Sequence, residues 1–301
     1  MKKETKGSLL LLLTAFIWGM GFVAQTSAVE SMASEAFLGI RFLIGSAVLL
    51  PVIIINDGIN KKKGTYKKMD RGELKVLLLG GILCGIALFG GAYLQQLGIE
   101  WGANTGKAGF LTAMYILIVP ILGIFFRKKV EPKIWLCVFV AVIGVYMLSV
   151  KEGFSLYAED SFLLGCAFAF SIQIMLVDYF VTKTDPIRLS AIQFLVVGII
   201  GMVLTAIKES ISFDDIINAA GPIIFAGVAS TGVGYTLQIV GQKYAKPTEA
   251  SLIMSLESVF ALLGGIVILH QKPDIRECLG MALMFAAIIV SQIDFNRHKG
   301  E

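Results

Sequence analysis

Long apolar segments follow one another along the whole chain and are separated by short polar connections. We predict ten of them, at 8–27, 35–56, 74–98, 105–126, 133–150, 160–181, 187–207, 216–241, 247–269 and 275–294. A helix of about twenty apolar residues is long enough to cross the hydrocarbon core of a bilayer, and it pairs its own backbone polar groups. The pattern therefore predicts an all-α polytopic membrane protein with ten transmembrane helices.

The two halves of the sequence repeat one another at low identity. Tyr93 and Gln96 in the third span recur 142 residues later as Tyr235 and Gln238 in the eighth span. Five helices per copy is an odd number, so the second copy must enter the membrane in the opposite orientation. The sequence therefore predicts two inverted five-helix repeats, at residues 1–150 and 151–301.

Lysine and arginine are concentrated in alternate connections. The longest polar connection carries Lys61, Lys62, Lys63, Lys67, Lys68 and Arg71. Basic connections stay on the cytoplasmic side, so both termini are predicted to be cytoplasmic and the protein to lie in the cell (inner) membrane. We interpret these charges as topology signals and contacts with membrane lipid, not as a nucleic-acid surface.

The composition supports a membrane protein without catalytic chemistry. Hydrophobic residues make up 56% of the chain and charged residues 16%, and the mean hydropathy is +0.79. Soluble domains have about 45–50% apolar and about 25% charged residues. The two histidines, His270 and His298, lie near opposite ends of the last span, and no nucleophilic or paired-acid set is present. We therefore expect no enzyme activity, cofactor or metal.

Polar and aromatic residues recur at helical spacing within several spans. The candidate solute-binding residues are Trp18, Gln25, Tyr93, Gln96, Thr112, Tyr115, Tyr235, Gln238 and Ser255. Side chains of these types around one cavity would suit a zwitterionic or aromatic small solute. Small and polar residues also hydrogen-bond neighbouring membrane helices to one another, and the pattern leaves this alternative open.

Two charged residues fall inside predicted spans. Glu257 lies about ten residues into the ninth span, where a carboxylate costs about 2.5–3.5 kcal/mol on insertion scales. It is either a protonatable group that couples transport to protons or a structural anchor, for example one paired with Arg41. Arg41 in the second span either extends to the outer surface or pairs with a carboxylate.

Several short motifs resemble one transporter family. They are Trp18-Gly19, Arg41-Phe42, the stretch from Ala108 to Tyr115, and Glu257 to Phe260. Together with the ten-span layout, they resemble the EamA-type drug/metabolite transporters. The resemblance implies a central cavity lined or gated by the third, fourth, eighth and ninth spans. Ser258 stands where the family usually has proline, so the family's helix kink lacks its usual residue there.

The function predicted from these features is secondary-active export of small metabolites, such as amino acids, by alternating access. No cluster of basic residues lies at mid-depth, which disfavours organic phosphates. Two alternatives are an importer of a small organic solute and a non-transporting membrane protein for lipid handling or signalling. The sequence leaves open the substrate, the coupling ion (protons included) and the oligomeric state (a homodimer included).

Overall fold

The computed structural model describes residues 3–29, 31–103, 105–128, 130–150, 157–208, 211–269 and 274–292. Regular secondary structure in these ranges is helical. The elements are α1 (Lys3–Val29), α2 (Ser34–Lys62), α3 (Arg71–Glu100), α4 (Thr105–Thr112), α5 (Tyr115–Phe125), α6 (Pro132–Ser149), α7 (Ala158–Val181), α8 (Pro186–Lys208), α9 (Phe213–Asn218), α10 (Ala220–Ile224), a π-helical segment (Phe225–Tyr235), α11 (Thr236–Gln242), α12 (Pro247–Met254), α13 (Glu257–Leu269) and α14 (Ile275–Gln292).

Local sequence signals set several helix starts. A capping box begins α3, in which the Glu73 N–H donates to Asp70 Oδ1 at 2.8 Å and the Asp70 N–H donates to Glu73 Oε2 at 3.0 Å. The first of these bonds lowers the pKa of the Asp70 carboxyl. Pro132 and Pro247 occupy the first turns of α6 and α12, where no intrahelical N–H bond is lost.

Helical structure occurs along all ten predicted spans. Within the described residues, six stretches are long and apolar enough to cross a bilayer: Ser34–Lys62, Arg71–Glu100, Ala108–Phe125, Glu159–Val181, Pro186–Lys208 and Ala220–Gln242. The prediction of an all-helical protein with several membrane spans is confirmed. The total of ten crossings and the inverted orientation of the second half stay predictions.

The fourth and ninth spans are each broken, although the sequence predicts continuous helices there. The breaks fall between α4 and α5 and between α12 and α13. At the second break, the Leu256 N–H bonds the carbonyl of Ile253 at 3.1 Å, and Ser255 Oγ bonds the carbonyl of Leu252 at 2.7 Å. Such tightened and side-chain bonds interrupt the regular ladder, so the α-helix of the ninth span is broken here without a proline.

Close helix crossings hold the bundle together around an apolar core. α2 packs on α8, α6 on α14, and α3 on α7 and α8, while α1 packs on α13 and the π-helical segment. A Cβ added to Gly201 of α8 would lie 2.7 Å from the Cα of Gly39 in α2. The largest apolar cluster includes Phe42, Phe194 and Tyr235. Small residues at the α2–α8 crossing therefore let the two backbones touch.

The substitution Gly201→Ala is expected to destabilise this crossing, because the new methyl group displaces the α2 backbone. Overpacking of this kind costs about 1–3 kcal/mol, so the melting temperature in detergent should fall. Gly58→Ala is the matched control, since nothing lies within 4 Å of the added Cβ and alanine favours helix. Equal melting temperatures for the two variants would contradict the tight crossing.

Polar contacts define two ends of the bundle. At one, which we call the basic end, ion pairs join neighbouring connections: Lys128 with Asp178, Lys246 with Glu131 (3.6 Å) and Arg188 with Asp57 (2.6 Å). Lys6, near the start of α1, lies over the ring of Tyr244 at this end. At the opposite end, Lys208 pairs with the buried Glu35 at 3.2 Å. α1 and α8 thus begin at the basic end, whereas α2 begins at the opposite end.

Candidate functional site

A small cavity of about 30 Å³ lies inside the bundle between the two broken spans. Eight residues singled out in the sequence line it: Trp18, Gln25, Arg41, Thr112, Tyr115, Tyr235, Gln238 and Glu257. A cavity needs about 10–15 Å³ to hold one water molecule. The cavity therefore has room for about two waters, and an organic solute fits only after its walls move apart.

Three other candidates lie outside this lining. Tyr93 stacks on Phe89 at 5.3 Å, and its hydroxyl accepts a bond from Lys208 at 3.3 Å. The Gln96 side chain donates to the carbonyl of Gln25 at 3.3 Å. The hydroxyl of Ser255 donates to the carbonyl of Leu252, three residues earlier in the same span. The contacts of Tyr93 and Gln96 tie helices together, which is the alternative that the sequence left open for such residues.

Six lining residues were not selected from the sequence: Gln95, Phe170, Gln173, Ile174, Ser230 and Met254. Gln173 had a usable signal, because it is an amide in the middle of an apolar span. For Gln95, the sequence offered no signal other than its position next to Gln96. The repeat match selected Gln96, but only the rotation of α3 decides which of two adjacent side chains faces the cavity, since one residue turns a helix by about 100°.

The two broken spans meet at a hydrogen bond. Tyr115 begins α5, Glu257 begins α13, and the Tyr115 hydroxyl donates to Glu257 Oε1 at 3.1 Å. Both side chains are buried. The two residues are separated by 142 positions, the same offset that relates Tyr93 to Tyr235. A carboxylate at the first position of a helix is also favoured by the free N–H groups there.

Arg41 is buried in the cavity wall, with 2% of its surface exposed. Its guanidinium lies 5.2 Å from the ring centre of Phe37 and 5.0 Å from that of Phe42. In the described part of the chain its Nε has no hydrogen-bond partner, and no carboxylate there forms an ion pair with it. The structure therefore shows neither of the arrangements expected for Arg41: it does not reach the surface, and it is not paired with Glu257.

Aromatic rings form one side of the cavity. The Tyr235 ring packs 4.5 Å from Trp18, 5.8 Å from Phe42 and 6.1 Å from Phe194, measured between ring centroids. Trp18 Nε1 donates to the carbonyl of Ser230 at 3.3 Å. That carbonyl belongs to the π-helical segment, a distortion that often occurs at functional sites. This bond connects the aromatic wall to the π-helical segment.

Four buried glutamines, which we call the amide layer, lie beside the cavity: Gln173, Gln193, Gln238 and Gln242. Gln238 Nε2 donates to Gln173 Oε1 at 3.0 Å, and Gln173 Nε2 lies 3.5 Å from Gln193 Oε1. One turn further along α11, Gln242 Nε2 donates to the carbonyl of Ile174 at 3.0 Å. The layer therefore connects α11 to α7 and α8.

A larger recess of about 600 Å³, which we call the vestibule, opens at the basic end. Gln242 and Met175 line the vestibule, whereas the neighbouring Gln238 and Ile174 line the cavity. The bond from Gln242 to the Ile174 carbonyl therefore joins a residue that lines the vestibule to one that lines the cavity. At the opposite end, Lys208 of α8 contacts Glu35 of α2 and Tyr93 of α3.

Comparisons with known proteins agree with a membrane transporter. The model of the EamA-like transporter family matches residues 5–150 and again residues 158–292. A protein of Archaeoglobus fulgidus, described as an uncharacterized transporter, is 30% identical over 292 residues, which cover 96% of this chain and 86% of the relative. The uncharacterized transporter YoaV of Bacillus subtilis is 22% identical, with 96% and 97% covered. One crystal structure superposes with a TM-score of 0.76 at 16% identity over 96% of both chains.

Proposed function

This chain belongs to the EamA-like transporter family, and on that premise we propose that it exports a small organic metabolite by secondary-active alternating access. The observation that carries the proposal is a small cavity between two broken spans whose lining includes buried amides, Arg41 and Glu257, with a larger vestibule next to it along α7 and α11. Carriers of this kind bind solute near mid-membrane, where discontinuous helices meet.

The proposed architecture is ten crossings in two inverted repeats, 1–150 and 151–301. The family model matches the chain twice within these limits, which supports the division. Packing supports it too, because α2 lies against its counterpart α8, and α6 against α14. The contact of α3 with α7 likewise has a counterpart in the contacts of α11 and the π-helical segment with α1. Tyr115 and Glu257 then lie at the symmetry axis.

The proposed cycle uses two barriers in turn. Opening the amide layer connects the cavity to the vestibule, and opening the contacts of Lys208 with Glu35 and Tyr93 connects it to the opposite end. The basic end is assigned to the cytoplasm of a cell-membrane protein, in keeping with the positive-inside rule. Solute therefore enters from the vestibule, and both termini are cytoplasmic.

Protons are the proposed coupling ion. Among the cavity-lining residues of the described chain, Glu257 is the one with an acidic side chain. It contacts both broken spans, through its own helix and through the Tyr115 hydroxyl. Proton uptake at this carboxylate would therefore act directly on the two elements that must move.

Solute counterflow in proteoliposomes tests the carrier proposal. We expect saturable uptake of a labelled metabolite that is accelerated by unlabelled solute inside the vesicles. Tyr235→Phe should raise the KM about 2–10-fold, which corresponds to the loss of one hydrogen bond of about 0.5–1.5 kcal/mol. Tyr179→Phe is the control, because Tyr179 is exposed and lies outside the cavity. Binding of a solute without counterflow would contradict a carrier.

A further inference from the structure

We propose that Arg41 binds a carboxylate of the transported solute, an inference that rests on the proposed carrier function. The solute class would be small monocarboxylates that also carry N–H or O–H donors. The guanidinium would hold the carboxylate through two parallel hydrogen bonds, the geometry for which arginine is suited and lysine is not.

Arg41 differs from the other buried charges of the described chain. Those charges are Glu35, Asp160, Glu257 and Glu277. Each of the four accepts a hydrogen bond or forms an ion pair: Glu35 from Lys208, Asp160 from the Tyr157 N–H, Glu257 from Tyr115 and Glu277 from the Asp274 N–H. Arg41 has no such partner there, and it lines the cavity. A buried guanidinium without an anion is the state that a bound carboxylate would relieve.

The rest of the lining complements this cation. Gln25 Oε1 and Gln238 Oε1 are buried acceptors without a donor in the described chain, and both residues line the same cavity. Buried polar atoms normally have partners, so unpaired acceptors in the same cavity as an unpaired donor fit a ligand that carries both kinds of group. The solute would thus accept bonds at its carboxylate and donate bonds from an amine or hydroxyl.

The charge balance restricts the class further. Among the described residues that line the cavity, Arg41 has the one guanidinium and Glu257 the one carboxylate. While Glu257 is deprotonated, a second negative group on the solute would share the cavity with this carboxylate and have no cation of its own, and like charges repel one another. The aromatic wall of Trp18 and Tyr235 accepts an apolar or aromatic remainder. Dicarboxylates and phosphate esters are therefore excluded from the proposed class.

Matched acid and amide pairs test the assignment in counterflow. The probes are leucine and leucinamide, phenylalanine and phenylalaninamide, and 3-phenyllactate and its amide. For at least one pair, the wild-type protein should exchange the acid about tenfold or more faster than the amide. In Arg41→Gln the ratio should fall to near one through a loss of acid exchange, and Arg41→Lys should keep only part of the preference. Arg71→Gln, at an exposed arginine, should behave as wild type.

Thermal stabilisation of the purified wild-type protein by the same probes keeps the assignment testable if Arg41→Gln does not fold. A higher melting temperature with the acid than with its amide supports the carboxylate contact. Equal exchange of acid and amide by the wild type would overturn the assignment and leave the carrier standing. Acid-selective stabilisation without any counterflow would overturn the carrier and support Arg41. Neither exchange nor stabilisation by any probe would overturn the carboxylate class.

Discussion

Replacing Glu257 by glutamine is expected to abolish proton-driven accumulation of solute while leaving counterflow at equal pH measurable. Glutamine keeps an oxygen that accepts the Tyr115 hydrogen bond, so the junction of the two broken spans is preserved, but it cannot take up or release a proton. A gradient of one pH unit is worth about 1.4 kcal/mol per proton, which sustains up to about tenfold accumulation in the wild type. The measurement is the accumulation ratio in proteoliposomes with an imposed pH gradient.

Two further variants give this experiment its controls. Glu73→Gln removes a carboxylate that lies at the exposed start of α3, and it should accumulate solute as the wild type does. Tyr115→Phe removes the hydrogen-bond donor and keeps the acidic group, so accumulation should persist at a lower rate. An unchanged response to the pH gradient in a well-folded Glu257→Gln protein would leave Glu257 as a structural acceptor only.

Opening the amide layer is expected to let a thiol reagent reach the cavity from the basic end. In a background without native cysteines, Thr248→Cys lies in the vestibule and Met254→Cys lies in the cavity behind the layer. A membrane-impermeant thiol reagent applied at the basic end should modify the first cysteine roughly tenfold or more faster, because reaction requires access to the thiol. Adding Gln242→Ala removes the bond to the Ile174 carbonyl and should speed modification of the cavity cysteine.

The matched control for the barrier is Gly58→Cys, which has nothing packed within 4 Å and should react at the same rate with or without Gln242→Ala. Equal modification rates for the cavity and vestibule cysteines in the intact protein would show that the layer is no barrier. If Gln242→Ala instead accelerated modification of the cavity cysteine from the opposite end, the barrier would be assigned to the contacts of Lys208.

Much of the fold follows from the sequence because a bilayer allows few solutions. Apolar runs of about twenty residues must become helices, since unpaired backbone groups are too costly in hydrocarbon. The breaks at 113–114 and 255–256 were not predicted. No glycine or proline stands at either position, and Ser255 looked like an ordinary polar helix residue. Only the three-dimensional surroundings decide that its hydroxyl bonds a carbonyl of its own span and that the α-helix is broken there.

The site residues were predictable where sequence spacing alone determines the helix face on which a side chain lies. Trp18, Tyr235 and Gln238 belong to helical stripes, and the structure brings them to one cavity. Arg41 was not predictable in the same way, because extension to the surface needs an open path along the helix. The α2 backbone touches α8 at Gly39, two residues earlier, and the rings of Phe37 and Phe42 enclose the guanidinium. These packing relations depend on helix pairs that are distant in sequence.

In the proposed inverted-repeat architecture, the bond between Tyr115 and Glu257 lies at the axis that relates the two halves. Two identical, separately encoded five-helix chains assembled about a twofold axis would place the same residue type on both sides of that axis. Two glutamates would repel one another at the axis. Two tyrosines would leave no carboxylate there to accept the hydrogen bond. Fusion into one polypeptide lets each copy mutate alone, so a donor can face an acceptor at the centre. In the proposed architecture, covalent linkage of the halves thereby permits a chemically polar axis, which a symmetric homodimer of five-helix chains is unable to build.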